Sequence, residues 1–309
     1  MPLDDIATLV KYCSVETGLK ILESQSLRFS APALFGDPFA PDHHSQPGFD
    51  AETLLDELVR TVVAMVFGAE APTGKSNKLI VAICRWRDEE RFQSEEEAEP
   101  VLRQLLRPIA EQRHQQAEQF VNEWRSYASE VRMACFSERH QLLPCWQRFA
   151  DEHRGLALRF ACGDDTALGR PHRVHYSASP PHITHLREQV EIMLGRQAPL
   201  STADFRDKLL TKGRYQQAEA ELRCLVREPG AGGDDPELWY ADRSFPAPEL
   251  NAVFLGVRMT PRDRVLIARL VAEKYPRARL YQAECASGRY ELEFRQVSTA
   301  AVVGAANLA

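Results

Sequence analysis

The sequence predicts an α+β fold: a mixed, largely antiparallel sheet with helices packed around it and a helical insertion. Three observations lead there. Strand signals crowd the second half of the chain, from EVRMACFS at 130–137 to RYELEFRQV at 289–297. The helical patterns between them lack the regular alternation that a doubly wound parallel sheet needs. Residues 46–130 carry helical patterns almost throughout, so they read as an insertion into one α+β domain spanning 1–309.

In chain order, VETGLKILESQ (15–25) places Leu19, Ile21 and Leu22 in a helical pattern, and SLRFSAP (26–32) follows as a short strand. ALFGDPFAPDHHSQPGFD (33–50) is rich in Gly, Pro, Asp and His and reads as a loop. Within it Asp37 precedes Pro38 and is held extended, which makes a tight Gly-Asp-Pro turn. AETLLDELVRTVVAMVF (51–67) is a helix with Asp50 as its cap. KLIVAICRW (78–86) fits either a strand or a buried helix. Residues 95–129 read as a long helix whose first turns Pro100 and Pro108 restrict.

The remaining strands are RGLALRF (154–160), HRVHYSA (172–178), AEAELRCLV (218–226), NAVFLGV (251–257) and ARLYQAE (278–284). Helices are expected at LLPCWQRFADEH (142–153), ITHLREQVEIML (183–194), TADFRDKLLTK (202–212) and TPRDRVLIARLVAEKY (260–275). Residues 228–248 form a long polar loop carrying Trp239 and Tyr240, and 298–309 a flexible tail.

Composition narrows the class. With 309 residues, 44% of them hydrophobic, the chain buries a sizeable core. A net charge of −6 leaves no broad basic footprint for nucleic acid. No apolar run approaches the length of a membrane span, and the N-terminus carries acids where a secretory signal carries Lys or Arg. The expectation is a cytoplasmic protein without a membrane partner. The cysteines at 13, 84, 135, 145, 162, 224 and 285 show no CxxC pair and read as free thiols.

Several stretches carry candidate chemistry. Gly68 to Ser76 imitates a phosphate loop, but its spacing is one residue too long and it follows a helix. His172, His175, His182 and His185 fall close together without HExxH or a cysteine partner, and His43-His44 is a loop pair. MACFSERHQLLPCWQRF is more specific. A strand ends at Phe136-Ser137, a polar turn carries Glu138, Arg139 and His140, and an aromatic helix with Trp146 follows. Such a corner suits an anionic, ring-bearing ligand. Finally, RYQQAEAELRCLV (214–226) alternates strictly. On a strand, Gln217, Glu219, Glu221 and Arg223 share a face. Two carboxylates so placed repel unless solvent or a cation lies between them.

Taken together, LVKYCSVETGLKILESQSLRFSAPALFGDPF, ACFSERHQLLPCWQRFADEHRGLALRF, VHYSASPP, YQQAEAELRCLV and NAVFLGVRMT resemble a bacterial family catalogued as domain of unknown function 2971. Gly36 stands where that family usually has Asn, and Gln217 where it has an aromatic. The resemblance implies a phage-defence setting. More distantly, the layout resembles the ADP-ribosyltransferase fold, in particular its DNA-modifying bacterial members, which implies a split sheet of that type.

That resemblance implies an NAD-using enzyme, a toxin or defence effector, that cleaves the nicotinamide–ribose bond. Glu221 would be the ribose-stabilising carboxylate and Glu219 the acid that orients the acceptor. Tyr12, Ser14, Ser137, Arg139 and Trp146 would line the NAD site. The acceptor would be a nucleic acid or a protein, and an operon-encoded partner or antitoxin would fit the setting. Lys11-Tyr12 replaces the first-strand His or Arg of the transferases. Two alternatives stay open: a nuclease-type effector holding a divalent ion at Asp37, Glu219 and Glu221, and a non-catalytic sensor or partner-binding protein.

Overall fold

A computed structural model describes residues 6–41, 45–69, 72, 77–230 and 235–305. It divides into two compact units. One comprises segments 1–40, 130–180 and 210–309, the other 41–129 and 181–209.

The first unit opens with β1 (Thr8–Cys13), α1 (Val15–Ser24) and β2 (Ser26–Ser30). Ser14 separates β1 from α1 and caps the helix, its Oγ accepting the Thr17 N–H at 3.2 Å. The second unit begins with α2 (Ala51–Phe67), α3 (Lys78–Asp88) and α4 (Glu95–Glu130). Asp50 caps α2 as expected, accepting the Thr53 N–H at 2.8 Å. KLIVAICRW is helical: Leu79, Ile80 and Ile83 are buried while Val81 is exposed, a spacing that strand alternation does not give. α4 continues through both prolines, and its buried positions from Ala98 to Ala128 recur every three, four or seven residues along one stripe. Leu102, Leu106 and Ala110 share a core with Leu54, Leu58 and Val62 of α2.

The chain then gives β3 (Val131–Ser137), α5 (Leu143–Phe149), β4 (Leu156–Ala161), β5 (His172–Arg173) and β6 (His175–Ser177) to the first unit. α6 (Leu186–Met193) and α7 (Phe205–Lys208) belong to the second. There Val190 joins the α2–α4 core, and Phe205 meets Trp124 edge-on at 5.4 Å. β7 (Thr211–Gly213), β8 (Glu221–Arg227), β9 (Tyr240–Ser244), β10 (Leu250–Leu255), α8 (Pro261–Lys274), β11 (Arg279–Cys285), β12 (Leu292–Val297) and α9 (Thr299–Ala305) complete the first unit.

Ten strands form one open sheet in the order β12-β11-β10-β4-β1-β3-β2-β9, with β8 added to β3 and β5 to β8. Its pairings are antiparallel apart from β10 with β11. β6 and β7 form a separate parallel pair. This is the mixed, mostly antiparallel α+β architecture that the sequence predicts. One edge of β3 is sparsely paired: it meets β1 only at Val10 and Ser137 and β2 only at Ser30 and Met133, whereas β1 pairs with β4 along its whole length and β3 with β8 along its own. The cleft described below is lined by the facing parts of β1 and β3, Val10–Tyr12 and Cys135–Ser137.

Several elements depart from expectation. The polar stretch 228–248 holds β9, an exposed edge strand on β2 that Arg28 and Asp242 clamp through two hydrogen bonds of 2.9 Å. Its strand character comes from a partner more than two hundred residues away, which local composition does not carry. The tail is helical over Thr299–Ala305, with Val302 and Val303 packed on the core. HRVHYSA breaks at Val174, because its halves pair with different strands, β8 and β7. TADFRDKLLTK is α-helical only over Phe205–Lys208, and its last two residues enter β7. Segment 181–209 joins the helical unit, so that unit is built from two stretches of chain and not from 46–130 alone.

Candidate functional site

The predicted strand at 218–226 starts late. Residues Arg214–Glu219 form a 3-10 turn, Ala220 takes a left-handed conformation at φ 44°, and β8 begins at Glu221. Glu219 and Glu221 therefore do not share a strand face. They converge by another route. A 3-10 turn repeats every three residues, so side chains at i and i+3 eclipse. Gln216 and Glu219 are the buried pair on this turn, while Tyr215, Gln217 and Ala218 are exposed. Glu221 then approaches from the first position of β8, opposite Ser137 of β3.

The cation that two neighbouring carboxylates require is Lys212, from β7. Its Nζ donates to Glu219 Oε2 at 2.7 Å and to Glu221 Oε2 at 2.7 Å. Glu221 Oε1 accepts from Arg223 Nε at 2.7 Å, and Glu219 Oε1 from Arg148 at 2.7 Å. The backbone N–H of Glu221 donates to the Tyr176 hydroxyl at 2.8 Å. Burial by itself pushes the Glu221 carboxyl up, but Arg223 and Lys212 outweigh it and hold the group at about 2. Burial likewise pulls Lys212 down, and Glu221 with Glu219 more than reverses this, raising the ammonium above its ordinary value. Arg148 is the open member of the network, its side chain half exposed.

Lys212, Glu219, Glu221, Arg223 and Arg148 border a cleft of about 260 Å³. Its other walls are Tyr12 and Lys11 of β1, Cys135 and Ser137 of β3, the Phe35-Gly36-Asp37 loop, and Phe149 at the end of α5. The Lys11 ammonium donates to the Cys135 carbonyl at 3.1 Å. Asp37 Oδ1 accepts the Phe39 N–H at 3.0 Å, which fixes the Gly-Asp-Pro turn.

Of the residues singled out from sequence, Glu219, Glu221, Tyr12 and Ser137 border this cleft. Ser14, Arg139 and Trp146 do not line it. Ser14 is spent on capping α1. Arg139 is exposed, and it is its carbonyl that is used, accepting the Tyr12 hydroxyl at 2.7 Å. Trp146 is fully buried beneath Tyr12, ring centroids 5.3 Å apart, with Nε1 donating to the His140 carbonyl at 2.7 Å. The Arg139 carbonyl and the Trp146 ring thus hold the β1 tyrosine in place from behind, while Ser137 at the start of the Ser-Glu-Arg-His turn and Arg148 and Phe149 at the end of α5 reach the cleft wall.

Sequence reasoning missed Lys212, Gln216 and Arg148. Lys212 ends one segment read as a helix, where a basic residue has a bland explanation, and Arg148 lies within another. The available signal was electrostatic: two acids expected side by side demand a cation.

The Lys212 ammonium takes the position between Glu219 and Glu221 that a divalent ion would need. Among the described residues no group of three or more His, Cys, Asp and Glu side chains is placed to hold one ion. His182 and His185 meet edge-on at 6.3 Å, and His185 Nδ1 caps α6 by accepting the Glu188 N–H at 3.2 Å. His43-His44 and the Gly74-Lys75-Ser76 stretch lie outside the described residues. All seven cysteines are free of disulfides. No described helix is long and apolar enough to cross a membrane.

Comparison of the chain with protein-family models, with curated proteins and with solved structures returns no match. The family resemblance rests on the sequence motifs quoted above.

Proposed function

We propose that the cleft is the active site of an ADP-ribosyltransferase-like enzyme of the phage-defence type, which cleaves the nicotinamide–ribose bond of NAD. The observation that carries this reading is Glu221. It is a buried carboxylate, kept ionised by two cations, at the wall of a cleft with aromatic sides.

Breaking the bond sends its electron pair to the pyridinium nitrogen and leaves positive charge on the ribose. A carboxylate accepting a hydrogen bond from a ribose hydroxyl stabilises that charge. Glu221 has this capacity: a carboxylate offers about four lone-pair sites, and Lys212 and Arg223 use one on each oxygen. Glu219, held by Lys212 and Arg148, orients the attacking hydroxyl of water or of an acceptor macromolecule. Tyr12, Phe35 and Phe149 supply flat apolar surface for a ring, and Lys11 and Arg148 supply positive charge for phosphate. A cleft of 260 Å³ is just under the ~300–1,000 Å³ usual for whole ligands, so it takes the nicotinamide–ribose end while the rest of the dinucleotide lies outside.

The test is nicotinamide release from NAD by the purified protein, with and without EDTA. Release that resists EDTA is expected. Glu221→Gln should lower the rate by about 10²–10³-fold with folding retained. Glu219→Gln should spare hydrolysis more than transfer. Because Glu221 stays ionised down to about pH 2, its titration adds no acid limb to the rate between pH 4 and 6. Full activity of Glu221→Gln refutes the assignment. EDTA-sensitive cleavage of nucleic acid would establish the metal-dependent reading instead, and no turnover at all the non-catalytic one.

A further inference from the structure

Among the described residues, three buried side-chain atoms lack a hydrogen-bond partner: His153 Nδ1, Arg159 Nε and Gln216 Oε1. His153 stacks on Trp146 and Arg159 lies over Phe254, and neither borders the cleft. Gln216 does, and its side chain is nearly inaccessible, at 4% exposure. A buried amide without a partner is costly, and native proteins keep few of them. The neighbouring charges are satisfied: Lys212, Glu219, Glu221, Arg148 and Arg223 are joined to one another. The amide on the 3-10 turn is thus an uncommitted hydrogen-bonding group beside a closed ionic network.

We infer that Gln216 is the specificity residue of the cleft and holds a primary carboxamide carried on the ligand's ring. The ligand N–H donates to Oε1, and Nε2–H donates to the ligand carbonyl. A primary amide is its own complement in this cyclic pair, so either rotation of the Gln216 amide gives the same recognition. A carboxylate at the same place brings no donor for Oε1 and meets Glu219 and Glu221 as like charges. An ester is neutral but also has no donor. The aromatic walls at Tyr12, Phe35 and Phe149 suit the flat ring that bears the group. The inference deepens the NAD reading, on which it rests for nicotinamide as the natural carrier. The preference itself is measurable without turnover.

The experiment is calorimetric titration of the full chain with nicotinamide, nicotinate and methyl nicotinate, and with benzamide and benzoate. Wild type should bind the carboxamides at least about tenfold more tightly than the acids and the ester. Gln216→Leu and Gln216→Met should bring that ratio within about threefold, since both leave nothing to pair with the amide. Neither should lower the thermal midpoint, because the wild-type amide has no internal partner to lose. A drop in midpoint for both variants would mean that Gln216 is structural and would overturn the inference. So would equal binding of amide, acid and ester by wild type, an unchanged preference in the variants, or no carboxamide binding. A carboxamide preference without NAD cleavage sinks the catalytic reading and leaves this one standing. Cleavage that depends on Glu221 but shows no preference does the reverse.

Discussion

Replacing Lys212 with Met keeps most of the stem and removes the ammonium that Glu219 and Glu221 share. The two Oε2 atoms each lie 2.7 Å from Nζ, so they stand at most twice that distance apart. Two unit charges at about 5 Å repel by roughly 3 kcal/mol at an effective dielectric of about 20. Removing one partner from a buried ion pair costs about 3–5 kcal/mol in general. Both routes place the loss for Lys212→Met at about 3–5 kcal/mol at pH 7. The pH dependence has a definite sign. In wild type the Glu221 carboxyl is depressed from 4.5 to about 2. Its contribution, about 3 kcal/mol, is present above the ordinary carboxylate range and lost as pH falls from there toward 2. In the variant, burial is opposed by Arg223 without Lys212, so the site holds its proton to higher pH. Protonation relieves the repulsion, and the gap between wild type and variant narrows from pH 7.5 to 4.5. Urea unfolding followed by circular dichroism at several pH values reads this directly. A loss under about 1 kcal/mol, or one that does not change with pH, would refute the account of Lys212 as the bridging cation. The double variant Lys212→Met, Glu219→Gln should recover part of the loss, because it leaves one carboxylate facing Arg223.

Three further outcomes follow from the local geometry. Arg148→Met should cost less than about 1.5 kcal/mol, well below Lys212→Met, because its half-exposed guanidinium is screened by water and Lys212 still pairs Glu219; comparison of the two urea midpoints checks the ranking. Gly155→Ala should abolish folding or cost more than about 3 kcal/mol, since its Cβ would stand 2.2 Å from the Cys13 carbonyl and 2.9 Å from Ala150 backbone atoms that cannot yield. Gly36→Asn adds a Cβ that meets nothing within 4 Å and should leave the thermal midpoint nearly unchanged.

What the sequence made legible, and what it hid, divides along physical lines. Elements buried against a core announced themselves. α2 and α8 carry apolar periodicity because each packs one side against a core, β4 and β10 read as apolar runs because both their faces are buried, and Asp50 and the Gly-Asp-Pro turn act within three or four residues. Non-local elements left little trace. β9 is a strand because β2 lies beside it, and its own residues are mostly polar and exposed. The turn at 214–219 is the instructive case. Gln217, Glu219 and Glu221 alternate with apolar residues as a strand would, yet Gln216 and Glu219 are buried at a spacing of three. Alternation of two and repetition of three coincide over so short a stretch, and the pattern cannot separate them. The left-handed Ala220 that decides the matter is an alanine, a residue with no local preference for that conformation. Electrostatics is the stronger guide here. Whatever the backbone does, two acids two residues apart and out of water need a cation within reach. The nearest upstream base beyond the turn's exposed Arg214 is Lys212, which meets both. Reading the sequence for the missing countercharge, and not only for its period, leads to the centre of the site.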